Sequence, residues 1–465
     1  MTTLAPVRDP RTGEVIEELP LMAERDAPGL AQRAAGAFGA WSRVPPRRRA
    51  EILAGTARVL AGRAPAIAPR FALESGKTLL EARAELARAC ETLLWIAGHA
   101  EDVLRPVVLE DLEDSGLIRE VTAEPAGPVL AIVPSNFPAV VTARKAGAAL
   151  AMGCPVVLKA PETTPSVVRA FTAAATEAGL PEGVLRLAFT TPGGAAALVR
   201  RPEFRTVSFT GSTRTGRLVA AAAAETLAQC VLELGGHAPA IVTADADLDA
   251  AVSALVPMKF GSAGQSCAAP SRFLVAESAA SAFLARLLAA LPALECDPSG
   301  THATLGPLHT ESRRAEVHAL VQDAVTRGAV LRSGGRVPDH PGYYYPPTVL
   351  TDVPATARIL AEEPFGPLIP LQTFTTESEA VALAGSTPYA LGAFLFGPEP
   401  RMRALAPRLN AGRVSINSAS GADPASPLSG RSESGYGYEG GREGLQAFTR
   451  LKVTITPAKA GVCPT

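Results

Sequence analysis

Between residues 126 and 234, short apolar runs alternate with longer amphipathic stretches. Residues 129–133, 156–158, 184–187, 207–209 and 231–234 are rich in Val and Leu, with few polar interruptions. Short, largely apolar runs of this length suit strands buried on both faces of a parallel sheet. The segments between them, 142–152, 166–178, 194–200 and 213–224, place Ala, Val and Leu at helical spacing. Strand and helix in alternation predict an α/β fold with a Rossmann-like, doubly wound sheet.

Upstream, residues 28–41, 46–61 and 78–97 read as helices, with Arg and Glu set among Ala and Leu. Residues 107–110 and 117–121 are extended in character and flank Asp114-Ser115-Gly116, which predicts a β-hairpin. A second α/β passage opens near His237, with helices at 248–260, 278–291 and 311–327 and a strand at 272–275. Residues 450–457 read as one more strand. The pattern changes near residues 105, 126, 236 and 448, so cuts are expected there. A hairpin with an unpaired edge invites pairing with another subunit.

Composition narrows the class. At ~100–200 residues per domain, 465 residues suggest two to four domains. A hydrophobic content of 47% against 19% charged excludes global disorder. The net charge of −1 comes without a basic stripe, which argues against a nucleic-acid partner. Apolar runs fall short of the ~18 residues a membrane span needs. Arg8, Arg11, Glu14, Glu17 and Glu18 stand where a signal peptide would be apolar, so a cytoplasmic protein is expected. Cys90, Cys154, Cys230, Cys267, Cys296 and Cys463 form no CxxC pair, and His302 and His309 are the nearest histidines. Reduced thiols and no metal site are the expectation.

No GxGxxG follows the first strand. Instead Phe209-Thr210-Gly211-Ser212-Thr213-Arg214-Thr215-Gly216 follows a later one. Gly211 lets backbone approach a phosphate, and Ser212 opens a helix whose free amides favour an anion. An ordinary Ser-capped helix is the alternative. Lys159 ends a strand, with Glu162 three residues on. Glu162 could accept both hydroxyls of an adenosine ribose, and its charge would repel a 2′-phosphate; a surface ion pair is the alternative. Three more polar positions are unusual: Asn136 at a strand end, Glu233 inside an apolar strand, and Cys267 on a small-residue loop. Singly, each reads as a capping group or an inert core thiol.

Together they form a recognisable series. Segments 134–138 (PSNFP), 209–216, 232–237 (LELGGH), 260–272 (FGSAGQSCAAPSR) and 362–367 (EEPFGP), in this order, resemble the aldehyde dehydrogenase superfamily. Segments 9–14, 75–77, 411–417 and 434–437 add to the likeness. The resemblance implies that superfamily's fold: a cofactor domain at 1–105 and 126–235, an α/β catalytic domain at 236–448, and a small β oligomerisation element at 106–125 and 449–465. It implies oxidation of an aldehyde to its carboxylate with NAD, NADP being disfavoured by Glu162, in a homodimer or homotetramer.

Site roles follow from the same resemblance. Cys267, as thiolate, adds to the aldehyde. The Asn136 amide and the Cys267 backbone N–H donate to the oxyanion, and Glu233 activates the water that hydrolyses the thioester. Lys145 and Glu439 form an outer polar relay. Lys159 and Glu162 hold the ribose, Gly211 and Ser212 meet the pyrophosphate, and Glu363 and Phe365 position the nicotinamide ribose. Pro134, Ser135 and Gly235 belong to the same channel. Phe137 and Arg144 face the substrate, and the Arg144-Lys145 pair also occurs in succinate-semialdehyde and lactaldehyde dehydrogenases. A small anionic semialdehyde is therefore one candidate. A medium neutral aldehyde is the other, because the second tunnel arginine of animal succinate-semialdehyde enzymes is Gly261 here. Ser135, His237 and Tyr438 depart from the common pattern, and the tail after Lys452 is short. Acylating or reductive thioester chemistry is a competing reading, opposed by Glu233. A non-catalytic, crystallin-like protein is another, opposed by intact Cys267, Glu233 and Asn136.

Overall fold

The computed structural model describes residues 3–109, 116–294, 296, 304–419 and 423–457. The expected turn residues Asp114 and Ser115, together with His302 and Cys463, lie outside them. Two large sheets and their helices make up most of the chain. In the first, Leu185–Ala188, Val156–Lys159, Val129–Ile132, Thr206–Thr210 and Gln229–Glu233 lie side by side and parallel. Gly435–Tyr436 adds an antiparallel edge beside Gln229–Glu233. The chain enters at the middle strand, builds outward to one side, then crosses to the other. That reversal opens a crevice at the carboxyl ends of Val129–Ile132 and Thr206–Thr210, where α/β sheets take their ligands. Ile132 pairs with both Lys159 and Phe209, so these strands finish level with one another.

The second sheet runs Val330–Ser333, Thr348–Thr351, Leu368–Phe374, Pro270–Ala276, Ala238–Val242, Gly392–Phe396 and Arg413–Ile416. All its pairings are parallel except that of Val330–Ser333. Its core packs Phe273, Phe394, Ile241 and Leu274 against Leu255, Phe283 and Val321 of the covering helices. The chain passes from the first sheet to the second through Glu233, Leu234, Gly235 and Gly236, with no helix between. A third, three-stranded sheet joins Thr449–Pro457 to Leu117–Pro125 and Val107–Leu109. Val107, Val108, Leu109, Ile118, Leu451, Val453 and Ile455 stand exposed on it.

The structure departs from the sequence pattern in places. Residues 3–21 form a hairpin, Thr3–Arg8 with Val15–Leu21, and Ala238–Val242 is a central strand; neither is evident from local sequence. The helix expected to stop at residue 61 runs Pro46–Ser75, through Pro65 and Pro69. It survives two lost donors because Leu53, Leu60 and Phe71 are buried along helix Leu79–Leu104. Gly76, at φ +75°, ends it, and a capping box between Thr78 and Glu81 starts the next. The helix expected at 142–152 begins earlier, at Pro138, and carries a π-helical turn over Ala143–Gly147. The wider turn shifts the register of Arg144 and Lys145 relative to a regular helix.

Arg272 is a buried cross-link of the second sheet. Its guanidinium donates to the carbonyls of His237 (3.0 Å), Leu383 (2.8 Å) and Ala384 (2.7 Å), closing the end of helix Glu377–Ala384. No carboxylate is paired with it among the described residues, and burial lowers it to about 10. Arg272→Met orphans three carbonyls and is expected to remove about 3 kcal/mol of stability. An unchanged urea midpoint would show that those acceptors find other donors.

Candidate active site

Helix Leu248–Phe260 delivers the chain to an uncommon turn. Ser262, Ala263 and Gly264 stand in succession in the left-handed region, at φ 51°, 53° and 74°. Only the glycine adopts that region freely, and each of the others costs of order 1–3 kcal/mol. Neighbouring groups hold the turn. The Ser262 amide donates to Glu81 Oε1 (2.6 Å), and Lys77 Nζ to the Ser262 hydroxyl. Gln265 Nε2 donates to the Ser262 carbonyl (3.0 Å), and the His309 amide to Gln265 Oε1 (2.9 Å). Gln265 then offers its own carbonyl to Asn136 Nδ2 (3.0 Å). Asn136 and the Cys267 loop are thereby tied together, with one Asn136 amide hydrogen left over.

Cys267 and Asn136 line a cavity of about 360 Å³ together with Phe137, Arg144, Glu233 and Glu439. Glu233 ends its strand with 2% exposure, and neither carboxyl oxygen has a hydrogen-bond partner among the described residues. Burial, and then the charge of Glu439, push it well above the usual carboxylate range, against the pull of Lys145 and Arg144. Lys145 lies behind the cavity wall, fully buried, paired with Glu439 and donating to Ser208 Oγ (2.8 Å). The Cys267 thiol is pushed up to about 12 by burial, and next by Glu363 and Glu233. A second cavity of about 190 Å³ shares Lys77, Asn136 and Ser262 with the first and adds Ser135, Gln265, Arg313 and Phe365.

Residues expected to meet the cofactor gather along the strand ends. Lys159 and Glu162 form an ion pair with each other (2.7 Å), both partly exposed. Ser212 caps helix Thr213–Ala224, accepting from the Thr215 amide (3.3 Å). Glu363 Oε1 accepts from the Gly236 amide (3.1 Å), and burial raises Glu363 to about 7. A Cβ at Gly235 would lie 2.8 Å from Glu363 Oε2. Pro134 is partly buried beside Ser135, and Phe365 sits at φ 41° with the Arg313 guanidinium over its ring. These features fit a dinucleotide: a capped helix start beside Gly211 for phosphates, and carboxylates for ribose hydroxyls.

Lys159, Glu162, Gly211 and Ser212 stand apart from both cavities. The sequence reading missed Ser208, Gln265, Lys77 and Glu85. Ser208 is a hydroxyl inside the buried strand Thr206–Thr210, a signal that was available. Lys77 pairs with Glu85 (3.4 Å) and lies over the Phe137 ring, a contact no local pattern reveals. Of the departures, His237 is buried between Ser271 Oγ (2.7 Å) and the Ile359 carbonyl (3.0 Å). Tyr438 is exposed, and Glu439 is held without it by Lys145 and by backbone pairing with Leu428. Among the described residues no cluster of His, Cys, Asp and Glu could hold a metal, and no helix is long and apolar enough to cross a membrane.

A doubly wound sheet leading into a second α/β sheet, with thiol and carboxyl in one cavity between the segments that join them, defines an oxidoreductase of the aldehyde dehydrogenase class. The model of the aldehyde dehydrogenase family matches residues 2–454, and the chain belongs to that family. A succinate-semialdehyde dehydrogenase of Paenarthrobacter nicotinovorans is 39% identical over 429 residues, 91% of this chain and 95% of that one. A probable NADP(+) succinate-semialdehyde dehydrogenase of Sinorhizobium fredii is 37% identical over 96% of this chain and 91% of that one. The crystal structure of a succinate-semialdehyde dehydrogenase from Burkholderia pseudomallei matches with a TM-score of 0.95 at 36% identity, covering 98% of this chain and 95% of that one.

Gly236 tests how tightly the site is built. A Cβ there would lie 2.2 Å from the Cys267 carbonyl oxygen, which is backbone and cannot swing aside. Gly236→Ala is expected to cut kcat/KM at least ~10-fold by displacing the thiol, since a misplacement of about 1 Å can cost ~10²-fold. Wild-type turnover in the variant would mean that the loop yields without moving Sγ.

Proposed function

We propose that the protein oxidises an aldehyde to its carboxylate, with NAD preferred, through a covalent intermediate on Cys267. The observation that carries this reading is the single cavity lined by Cys267, Asn136 and Glu233, which come from three separate segments. The Cys267 thiol gives its proton to water, Sγ adds as thiolate to the aldehyde carbon, and the resulting oxyanion accepts hydrogen bonds from the free Asn136 Nδ2 hydrogen and the Cys267 backbone N–H. A bound nicotinamide dinucleotide supplies the hydride acceptor. Glu233 then draws a proton from the water that hydrolyses the Cys267 thioester. Lys145, Ser208 and Glu439 stand behind it as a polar relay.

Lys159, Glu162, Gly211, Ser212, Gly235, Glu363 and Phe365 are assigned to the dinucleotide, with Pro134 and Ser135 along its channel. NAD is favoured because the Glu162 carboxylate would meet a 2′-phosphate with like charge. The substrate assigned is a small semialdehyde with an anionic end, supported by Arg144 in the cavity wall and by the names of the relatives. The six-stranded sheet is taken as the cofactor unit, the seven-stranded sheet as the catalytic unit, and the exposed apolar three-stranded sheet as the contact for a dimer or tetramer. A primary test is NADH absorbance over a panel of aldehydes, with and without coenzyme A. Turnover that requires coenzyme A would replace hydrolysis with acyl transfer, and no turnover with any aldehyde would sink the reading.

Glu233 makes this pH-dependent. Its raised pKa keeps the carboxyl neutral, and useless as a base, below that value; the ionised base appears as pH rises through it. Steady-state kcat is expected to climb with pH through an apparent pKa well above the ~4.3 of a free glutamate. Glu233→Gln should flatten the climb and slow turnover ~10²–10⁴-fold, leaving a stoichiometric NADH burst from the stalled thioester. A pH profile unchanged in the variant would assign the base elsewhere.

Cofactor choice is tested at Glu162. Glu162→Ser is expected to raise kcat/KM for NADP relative to NAD by at least ~10-fold, by removing the like charge. If wild type already uses NADP as well as NAD, the role given to Glu162 is wrong.

A further inference from the structure

We propose that the buried ion pair Lys77–Glu85 is a positioning unit of the reaction, setting the gap between Asn136 and the Cys267 loop and so the fit of the oxyanion site. This rests on the reading above and gives a role to two residues that reading leaves idle. Asn136 is tied to the loop from Nδ2 to the Gln265 carbonyl (3.0 Å). By itself one hydrogen bond fixes a distance and leaves the amide free to pivot. The backbone that carries Asn136 has to be held as well. Helix Pro138–Thr142 follows it directly, with Phe137 at the N-cap, a side chain that cannot accept a hydrogen bond. Glu85, from helix Leu79–Leu104, does the capping instead, its Oε1 accepting from the Ala139 amide (2.9 Å).

Lys77 joins this segment to the loop. Its Nζ lies 4.1 Å from the centroid of the Phe137 ring, 3.4 Å from Glu85 Oε2, and donates to the Ser262 hydroxyl. Ser262 stands five residues before Cys267, and its amide is held by Glu81 Oε1 (2.6 Å), one turn earlier on the helix of Glu85. Ala139, Glu85, Lys77 and Ser262 are thus linked in series, from just beyond the oxyanion donor to just before the thiol. Lys77, Glu85, Phe137 and Ser262 line the same cavity as Asn136 and Cys267. The Lys77 and Glu85 side chains are 4% and 2% exposed. Burial raises the Glu85 carboxyl, and the Lys77 charge and then the Ala139 amide oppose the rise. A pair this deeply buried adds little stability over apolar residues of the same size. What it adds is direction: one ammonium serves a carboxylate, a hydroxyl and a ring face at once, and no apolar side chain does that.

The experiment is a mutant cycle read in kcat/KM, using the aldehyde of the panel that wild type turns over fastest. Lys77→Met with Glu85→Gln removes both charges together, since losing one would strand the other. A Gln there can still accept from Ala139, so the helix start is kept while the link to Ser262 is cut. This paired variant is expected to lose about 10- to 100-fold, through misplacement alone. Asn136→Ala should lose ~10²–10³-fold. Adding the paired change to Asn136→Ala should cost no more than ~3-fold further, because the placement of an absent amide has no effect. Lys77→Arg, which keeps charge and donor, should retain more activity than Lys77→Met. If the paired variant does not fold, Ser262→Ala cuts the same link from the loop side and goes through the same cycle. Equal losses with and without Asn136 assign the pair to the loop or the fold alone and overturn the proposal, as does wild-type kcat/KM in the paired variant. Either result leaves the aldehyde reading standing. A wild type inert toward every aldehyde of the panel defeats that reading and this proposal with it.

Discussion

No side chain fits at Gly236. The chain leaves the six-stranded sheet at Glu233 and enters the seven-stranded sheet at Ala238, and the few residues between them are pressed against the Cys267 loop. At Gly236 the missing Cβ would sit 2.2 Å from the Cys267 carbonyl; at Gly235 it would sit 2.8 Å from a carboxyl oxygen of Glu363. That contact of two backbones brings a strand end of one sheet within reach of the loop before a strand of the other. The cavity, its carboxyl and its thiol all follow from it.

The electrostatics of the pocket are antagonistic. Glu233 is buried and the Cys267 thiol half-buried, and the Glu233 carboxylate disfavours the thiolate. Both groups are therefore harder to ionise than their free counterparts. In the proposed chemistry this sets an order. A thioester sulfur cannot ionise, so once Cys267 is capped no thiolate can oppose the Glu233 carboxylate. Lys145, paired with Glu439 and donating to Ser208, tempers the acid without forming a direct pair with it. A direct ion pair would have fixed Glu233 as a permanent carboxylate and removed its response to the state of the cysteine.

Holding such groups in place uses strained backbone. Two non-glycine residues in the left-handed region precede Cys267, and a π-helical turn carries Arg144 and Lys145. Each is a local minimum only because distant groups fix it: Glu81, Lys77 and His309 for the first, helix Leu79–Leu104 packed against the second. Glu81 serves twice, capping its own helix through Thr78 and holding the Ser262 amide. The helical region at 78–104 is thus part of the support of the site, although none of its chemistry is there.

Sequence alone determined the alternation of buried strands and helices from 129 to 233, because a strand covered on both faces must be apolar throughout. It also marked Asn136, Glu233 and Cys267, because a polar group at a strand end or within an apolar strand needs a reason. It determined the family, through motifs whose order and spacing survive without any structure. Tertiary structure decided the rest. The helix through Pro65 and Pro69, the strand Ala238–Val242 and the hairpin of residues 3–21 depend on packing partners far along the chain, which a local window does not contain. Lys77 gave no local signal until Ser262 was brought to it, and the hydroxyl of Ser208 within an apolar strand gained its meaning only from Glu439. Arg413 entered the sequence reading only within segment 411–417. Only the parallel register sets it level with Ala238 and Pro270, because a sheet aligns residues by hydrogen bonding across strands and takes no account of their distance in sequence.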